Sequence, residues 1–501
     1  MTTFIYTSLW QAVLIITFSL SVAAQSRENG ILIRGGRVVD GTGSPAKIAD
    51  VRIIDDRIVA VGRLLPRLGE RLIEADGLIV APGFIDIHNH SERGFKDDPG
   101  ARSQVLQGIT TIAVGPDGGS PWPIGEYLNW GRQLKLATNL LAFVGHATVR
   151  RQVMGENYKR QATQTEIVRM AELVGQAMRE GAVGLSSGLE YDIGNPATTE
   201  EVIALARVAG RHRGIYMSHV RDEADLAMDA FREAIRIGRE ARVPVQISHI
   251  KLGTVGVWGK SSEAVRIIDQ ARRMGLDVTA DCYPYDAWAS TITVLVPSRR
   301  HDDPVAVARG LADVGGAANV LVTSCRAHQD FEGKNLEQIA ASLGITPVEL
   351  YIRIVRDGGA GVVCKSMIED DIRTFYRQPW VMVSSDGGIA GRHPRGAGTF
   401  PRVLGRYVRE LGWIGLEAAI HKMTDLPARR LSLRDRGRIK PGLKADLVIF
   451  DPKRIIDRST MLEPALEPVG MVAVLVNGQP VVDGGTVTGL RPGVVIDRRK
   501  L

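Results

Sequence analysis

Pro82-Gly83-Phe84-Ile85-Asp86-Ile87-His88-Asn89-His90 reads as a short apolar run that stops at a pair of histidines. In an extended chain, residues i and i+2 point to the same side, so both imidazoles can reach one ion. Seven more apolar runs follow, at 111–114, 140–144, 183–185, 215–217, 243–247, 277–280 and 381–383. Between them lie segments with apolar residues at helical spacing, as at 165–180 and 262–274. Eight strand–helix repeats predict an α/β protein with a (β/α)8 barrel over 82–425. The other reading of such alternation, an open doubly wound sheet, lacks a Gly-x-Gly-x-x-Gly fingerprint after a first strand. The last two runs are widely spaced, and 284–380 is read as an insertion over the barrel mouth, where loops carry function.

Most of the runs end in a residue able to bind metal. The first ends in His88 and His90, the second in Asp117, the third in His146, the fifth in His219, the sixth in His249 and the eighth in Asp386. Strand C-termini of such a barrel converge on one mouth, where active sites form. Five of the ten histidines fall there. Repetition at four separate runs makes a shared metal centre a better reading than a set of satisfied core histidines. Placement alone also makes His146 a candidate, as a group behind the ligands or an oxyanion donor. His212, His301, His328, His393 and His421 lack strand-end placement and are read as non-functional.

Both ends of the chain differ from the middle. Short β-patterns with turn signals between them fill 31–80 and 445–496. They predict one small β-sandwich domain built from 25–81 and 426–501. Residues 4–22 are apolar and uncharged, followed by Val22-Ala23-Ala24 and a polar stretch. This predicts a cleaved leader at 1–24 and an exported, periplasmic or secreted protein, with a retained N-terminal anchor as the alternative. No later segment is apolar enough to span a bilayer. Hydrophobic residues make up 44% and charged residues 24%, which permits a large core. The net charge of +7 is scattered, so neither a nucleic-acid stripe nor a binding module is expected. Three cysteines, none at zinc-ligand spacing, exclude a disulfide scaffold.

With these residues in view, the chain resembles the amidohydrolase superfamily. The stretch 82–90 matches its first-strand signature, and His219, His249 and Asp386 match its later strand-end ligands. The return at 437–448 also matches. Within that superfamily the resemblance is to the D-aminoacylases (N-acyl-D-amino-acid deacylases). It rests on 144–146, 184–191, 218–221, 247–251, 280–285, 385–386 and 396–400, and covers about 30–496. It implies hydrolysis of a linear amide in an N-acyl-D-amino acid or a small peptide ending in a D-residue, with one or two divalent ions. One position departs from the pattern. The family cysteine after the second strand is replaced by Asp117, in Gly115-Pro116-Asp117-Gly118. A carboxylate is a harder ligand than a thiolate. The site is therefore expected to take Zn2+ with less selectivity, and to accept Mn2+ or Co2+. A turn residue beside Gly118 and Gly119 is the plainer reading of Asp117.

The resemblance implies that Asp117, His219 and His249 hold the tighter ion, and that His88, His90 and Asp386 complete the site or hold a second. It implies Asp386 as general base. It nominates Lys251, Tyr283 and Arg377 to grip the substrate carboxylate, with Ser290 and Tyr191 as lesser candidates. A surface cation or packed polar group is the plainer reading of each. A carbamylated Lys251 bridging two ions is a further reading. Two other functions fit the same sequence: another amidohydrolase activity, such as cyclic-amide hydrolysis or L-dipeptide cleavage, and a non-enzymatic hydantoinase-like scaffold. Retention of the five ligand-type residues weighs against the scaffold.

Overall fold

The computed structural model describes residues 30–498; the leader expected at 1–24 lies outside them. Eight parallel strands form the central barrel. They are β1 (Phe84–Asp86), β2 (Ile109–Val114), β3 (Asn139–Ala142, continued by Val144–Gly145), β4 (Gly184–Gly188), β5 (Ile215–His219), β6 (Val245–Ile247), β7 (Val278–Cys282) and β8 (Val381–Val383). Neighbours pair in that order: β1 with β2, β2 with β3, and onward from β3 through β7 to β8. The ring closes beyond the ends of β8 and β1, where Asn89 bridges Gly387 in parallel and the Asp386 amide donates to the His88 carbonyl at 3.0 Å. Closure brings the first and last ligand-bearing strands side by side.

The strands are buried from end to end, as expected for a sheet covered by helices outside and packed side chains within. Ile85, Ala113, Leu141, Phe143, Met217 and Met382 fill the interior. The covering helices bury one face each. Gln164–Glu180 begins with a capping box, in which the Thr163 side chain accepts from the Glu166 amide and the Glu166 carboxylate accepts from the Thr163 amide. It ends at Gly181, which has a positive φ of 121°. No helix among the described residues is long and apolar enough to cross a membrane.

Both chain ends contribute to a nine-stranded sheet. Strand Ile79–Pro82 lies between Ile31–Val38 from the N-terminal side and Leu447–Phe450 from the C-terminal side. A register shift between Ile33 and Gly36 lets the first half of Ile31–Val38 pair with Arg71–Glu74 and the second half with Ile79–Pro82. Ile33, Val51, Ile53, Ile449 and Leu475 share the resulting core.

Between β7 and β8 the chain forms a separate unit. Ala287–Thr291, Gly361–Lys365 and Val320–Ser324 make a three-stranded antiparallel sheet, with the middle strand last in sequence. Helices Pro304–Asp313, Leu336–Leu343 and Pro347–Arg356 accompany it. It has its own core, including Ile292, Leu311, Leu350 and Ile354. One wall of this unit faces the barrel mouth.

Candidate metal centre

The β2–β3 edge of the mouth is shaped by close backbone approach. A Cβ on Gly145 would run into the Gly118 carbonyl oxygen, and one on Gly188 into that of Asp117. Glycine at both positions lets the loop after β2 lie directly on the rim. That loop turns Asp117 inward with φ 57°; Asp386 (φ 48°) and His249 (φ 30°) also have left-handed backbone. Such conformations cost about 1–3 kcal/mol each and concentrate where surrounding structure holds a functional geometry.

Four side chains converge first. His88 Nε2 lies 3.2 Å from both Asp117 Oδ2 and Asp386 Oδ1, and His90 Nε2 lies 3.3 and 3.2 Å from the same two atoms. Four ligands at about 2.0–2.1 Å around an ion have mutual separations of about 3.3 Å. These distances match that figure. A second group adjoins. His219 Nδ1 is 2.8 Å from His249 Nε2, and His249 Nε2 is 3.6 Å from Asp117 Oδ1. Asp117 Oδ1 is buried with no hydrogen-bond partner, which suits an atom that would ligate a cation. Asp117 therefore turns one oxygen to each group. The residues fit a divalent ion, and Asp117 lies within reach of both groups.

Burial opposes charge throughout this cluster, and neighbours override it. Desolvation pushes the His88 imidazole down, but the Asp117 and Asp386 carboxylates hold it well above its ordinary value. The same two carboxylates lift His90 to about 9 against burial. His249 also reaches about 9, against burial and Lys251, through Glu223, Asp386 and Asp117. Burial would raise the carboxyls, yet His88 and His249 hold Asp117 well below the carboxylate range, and Arg395, His249 and His88 do so for Asp386. A concentration of negative potential that charges buried imidazoles also attracts a divalent cation.

The outer nitrogens of the second pair are held as well. His219 Nε2 lies 2.7 Å from Glu190 Oε2. His249 Nδ1 lies 3.0 Å from Glu223 Oε1 and 2.7 Å from Lys251 Nζ, and Lys251 donates to Glu223 at 2.6 Å. Below the cluster, Asp281 Oδ1 accepts from the His249 amide at 2.9 Å and lies 3.5 Å from His88 Nδ1. These carboxylates fix ring orientation and leave the inner nitrogens free to coordinate. Lys251 occupies the side of His249 away from Nε2, so its amine is in an ion pair and not at a bridging position. The carbamylated-lysine reading is thereby set aside.

The cluster opens into a cavity of about 420 Å3. Ser290, Tyr191 and Lys251 line it. Tyr191 Oη is 3.2 Å from His219 Nδ1. Tyr283 is buried beside it, its hydroxyl without a partner, with the Arg395 guanidinium 4.8 Å from its ring centroid. Two expected residues lie elsewhere. Arg377 follows helix Glu369–Tyr376 and lines a different cavity with Trp413 and His421, because that helix carries it away from the mouth. The cation present at the mouth is Arg395, whose Nη1 donates to Asp386 Oδ2 at 2.6 Å. His146 is at a strand end, but a helix starts on it at once. Its ring turns into a buried ion cluster, 2.9 Å from Glu201, which also pairs with Arg150. His146 is therefore not a lining group. Glu190, Glu223, Asp281 and Arg395 went unnoticed in the sequence. Glu190 and Glu223 carried a usable signal, one two residues past β4 and the other four past His219.

The amidohydrolase family model matches residues 71–482. A D-aminoacylase of Alcaligenes xylosoxydans xylosoxydans is 34% identical over 95% of this chain and 99% of its own. An N-acyl-D-glutamate deacylase from the same organism is 36% identical over 93% and 96%. The solved N-acyl-D-glutamate deacylase of Bordetella bronchiseptica, complexed with zinc and a phosphonate mimic of the tetrahedral intermediate, superposes with a TM-score of 0.85 at 35% identity, over 93% of this chain and 99% of that one.

Proposed function

This chain belongs to the amidohydrolase family as a metal-dependent hydrolase of amide bonds, and we propose that it removes the acyl group from N-acyl-D-amino acids, or cleaves small peptides that end in a D-residue. The observation carrying this reading is the paired cluster of His88, His90, Asp117, His219, His249 and Asp386, with Arg395 and Lys251 lining the same cavity. Zn2+ is the proposed ion. With an aspartate where the relatives' pattern has a thiolate, Mn2+ and Co2+ are proposed as substitutes.

When bound, the ion supplies Lewis acidity, which polarises a carbonyl and makes water easier to deprotonate. The protein does the rest. Asp386 is ionised under its neighbours' influence, so it can accept a proton from the attacking water. The carboxylic acid so formed then donates to the departing nitrogen, and one group serves both steps. Arg395 and Tyr283, with Lys251 beyond, seat the substrate α-carboxylate; the guanidinium suits a carboxylate through paired N–H donors. With the carboxylate seated there and the amide at Asp386, the space left for the side chain is the third point that sets which hand is accepted. The test is a chiral panel of N-acetyl amino acids and dipeptides with the metal-loaded protein. Turnover restricted to D-configured carboxyl residues is expected, and turnover of L-compounds or cyclic amides alone would replace this reading with another activity of the family.

A further inference from the structure

The cations lining the cavity are already paired. Beyond the histidines, the cations that reach it are Lys251 and Arg395. Lys251 is held by Glu223 at 2.6 Å and Arg395 by Asp386 at 2.6 Å. Glu92, Glu190 and Asp313 also line it, so acids outnumber cations. A neighbouring cavity of about 920 Å3 shares Glu190, Tyr191, Val294 and Pro297 with the first. Its arginines are bound too. Arg221 makes two 2.8 Å bonds to Glu233, Arg232 one of 2.8 Å to Asp229, Arg236 pairs with Glu240 and Glu200, and Arg299 pairs with Asp192.

The wall that the inserted unit contributes is largely apolar. Trp288, Ala289, Val294, Leu295 and Pro297 come from the unit inserted between β7 and β8, and Val314 from the end of its first helix. Trp288 is fixed by a 2.6 Å hydrogen bond from Nε1 to Ser366 Oγ. Tyr283, at the α-carboxylate seat, is five residues ahead of Trp288 on the segment leading from β7 into this wall. A side chain on an α-carbon anchored at Arg395 would share the cavity with this wall.

We infer that the site selects D-residues with an uncharged, apolar side chain and rejects D-glutamate and D-aspartate. The inference rests on the proposed deacylase reading and deepens it. One carboxylate takes the two cations, sharing Arg395 with Asp386 and Lys251 with Glu223; a second finds no further cation and meets an apolar wall. Burying an unpaired carboxylate there is costly, while an aliphatic or aromatic group gains from leaving water.

The experiment compares kcat/KM of the full, metal-loaded chain for the N-acetyl derivatives of D-leucine, D-methionine, D-phenylalanine, D-glutamate, D-aspartate and D-lysine. A preference of at least ~10²-fold for the first three over the acidic pair is expected. Comparable rates for D-glutamate or D-aspartate, or a best rate with D-lysine, would overturn it. Absence of turnover with every D-compound, alongside turnover of L-compounds or cyclic amides, removes the underlying deacylase reading as well, a distinct pattern. Val294→Arg places a cation in the wall. It should cut the leucine-to-glutamate ratio at least ~10-fold at unchanged metal content; an unchanged ratio would mean that the wall does not face the side chain.

Discussion

Arg395 Nη1 lies 2.6 Å from Oδ2 of Asp386, which leaves Oδ1 of the same carboxylate turned to the Nε2 atoms of His88 and His90. The two oxygens thus have separate tasks. One is anchored, and the other faces the reaction space. Asp386→Asn keeps the shape and one oxygen but cannot take a proton. Turnover should fall by ~10³-fold or more, with folding retained and metal content kept near that of the parent. Metal analysis and steady-state rates on one preparation check this. Near-parental turnover would remove the assigned base.

Asp117→Cys tests the shared ligand. A thiolate is softer than a carboxylate, so selectivity should move toward Zn2+ and away from Mn2+. Competition between the two ions, followed by metal analysis, reads the shift. An unchanged ratio would mean that Asp117 is not a ligand. Removing the metal with a chelator should lower the melting temperature of the parent by several degrees, since an ion that binds only the folded state stabilises it.

Glu190→Gln weakens the acceptor 2.7 Å from His219 Nε2 without changing its shape. Loss of the partner that orients a metal-ligating histidine typically costs about 10–100-fold in metal affinity. Titration against a chelating dye should show this loss. Because Glu190 also faces the cavity, the measurement that separates the two roles is affinity in the absence of substrate. Parental affinity would assign Glu190 to the cavity wall alone.

Gly145→Ala puts a methyl where the Gly118 carbonyl lies. The loop carrying Asp117 must shift, at a cost of about 1–3 kcal/mol for overpacking. Both thermal stability and metal occupancy should fall. A variant with lower stability but full occupancy would show that the loop moves without displacing Asp117.

His393 supplies the pH dependence. Burial and the nearby Arg395 charge hold its imidazole well below the ordinary value, and its Nε2 donates to the Ala287 carbonyl while Nδ1 accepts from the Arg395 amide. The unfolded chain takes up a proton at His393 near pH 6.5, and the folded protein does not until the pH is much lower. Folding stability therefore falls as pH drops below 6.5, by up to ~1.4 kcal/mol per pH unit for this one group. His393→Asn retains an acceptor for the amide and cannot titrate. It should flatten the loss of stability between pH 6.5 and 5, measured by denaturant unfolding. Parallel curves for parent and variant would place the acid sensitivity elsewhere.

The barrel was legible because each strand is a compact apolar run with a polar stop, and the stops repeat. The ligand types were legible for the same reason: His88, His219, His249 and Asp386 sit where strands end. What escaped lies off that pattern. Arg395 opens a helix nine residues past Asp386, on a loop whose path no local periodicity describes. Arg377 bears the same charge but follows a helix that delivers it to a different cavity. His146 shows the limit of strand-end placement, since an immediate helix start rotates the ring into a buried ion cluster. Glu190 and Glu223 act through histidines on the next strand, His219 and His249, a relation that strand pairing creates and local periodicity does not display.

Strand Ile79–Pro82 is sandwiched between a strand from either side of the barrel, and Leu447–Phe450 is the later of the two. On the ribosome, the N-terminal strands must therefore wait for the whole barrel to be made before their neighbour emerges. At ~5–20 residues per second that delay is roughly 20–70 s. During it the edge of Ile79–Pro82 that Leu447–Phe450 later covers is open to chaperones and to unwanted strand partners, so extra chaperone during synthesis should raise the yield of native protein.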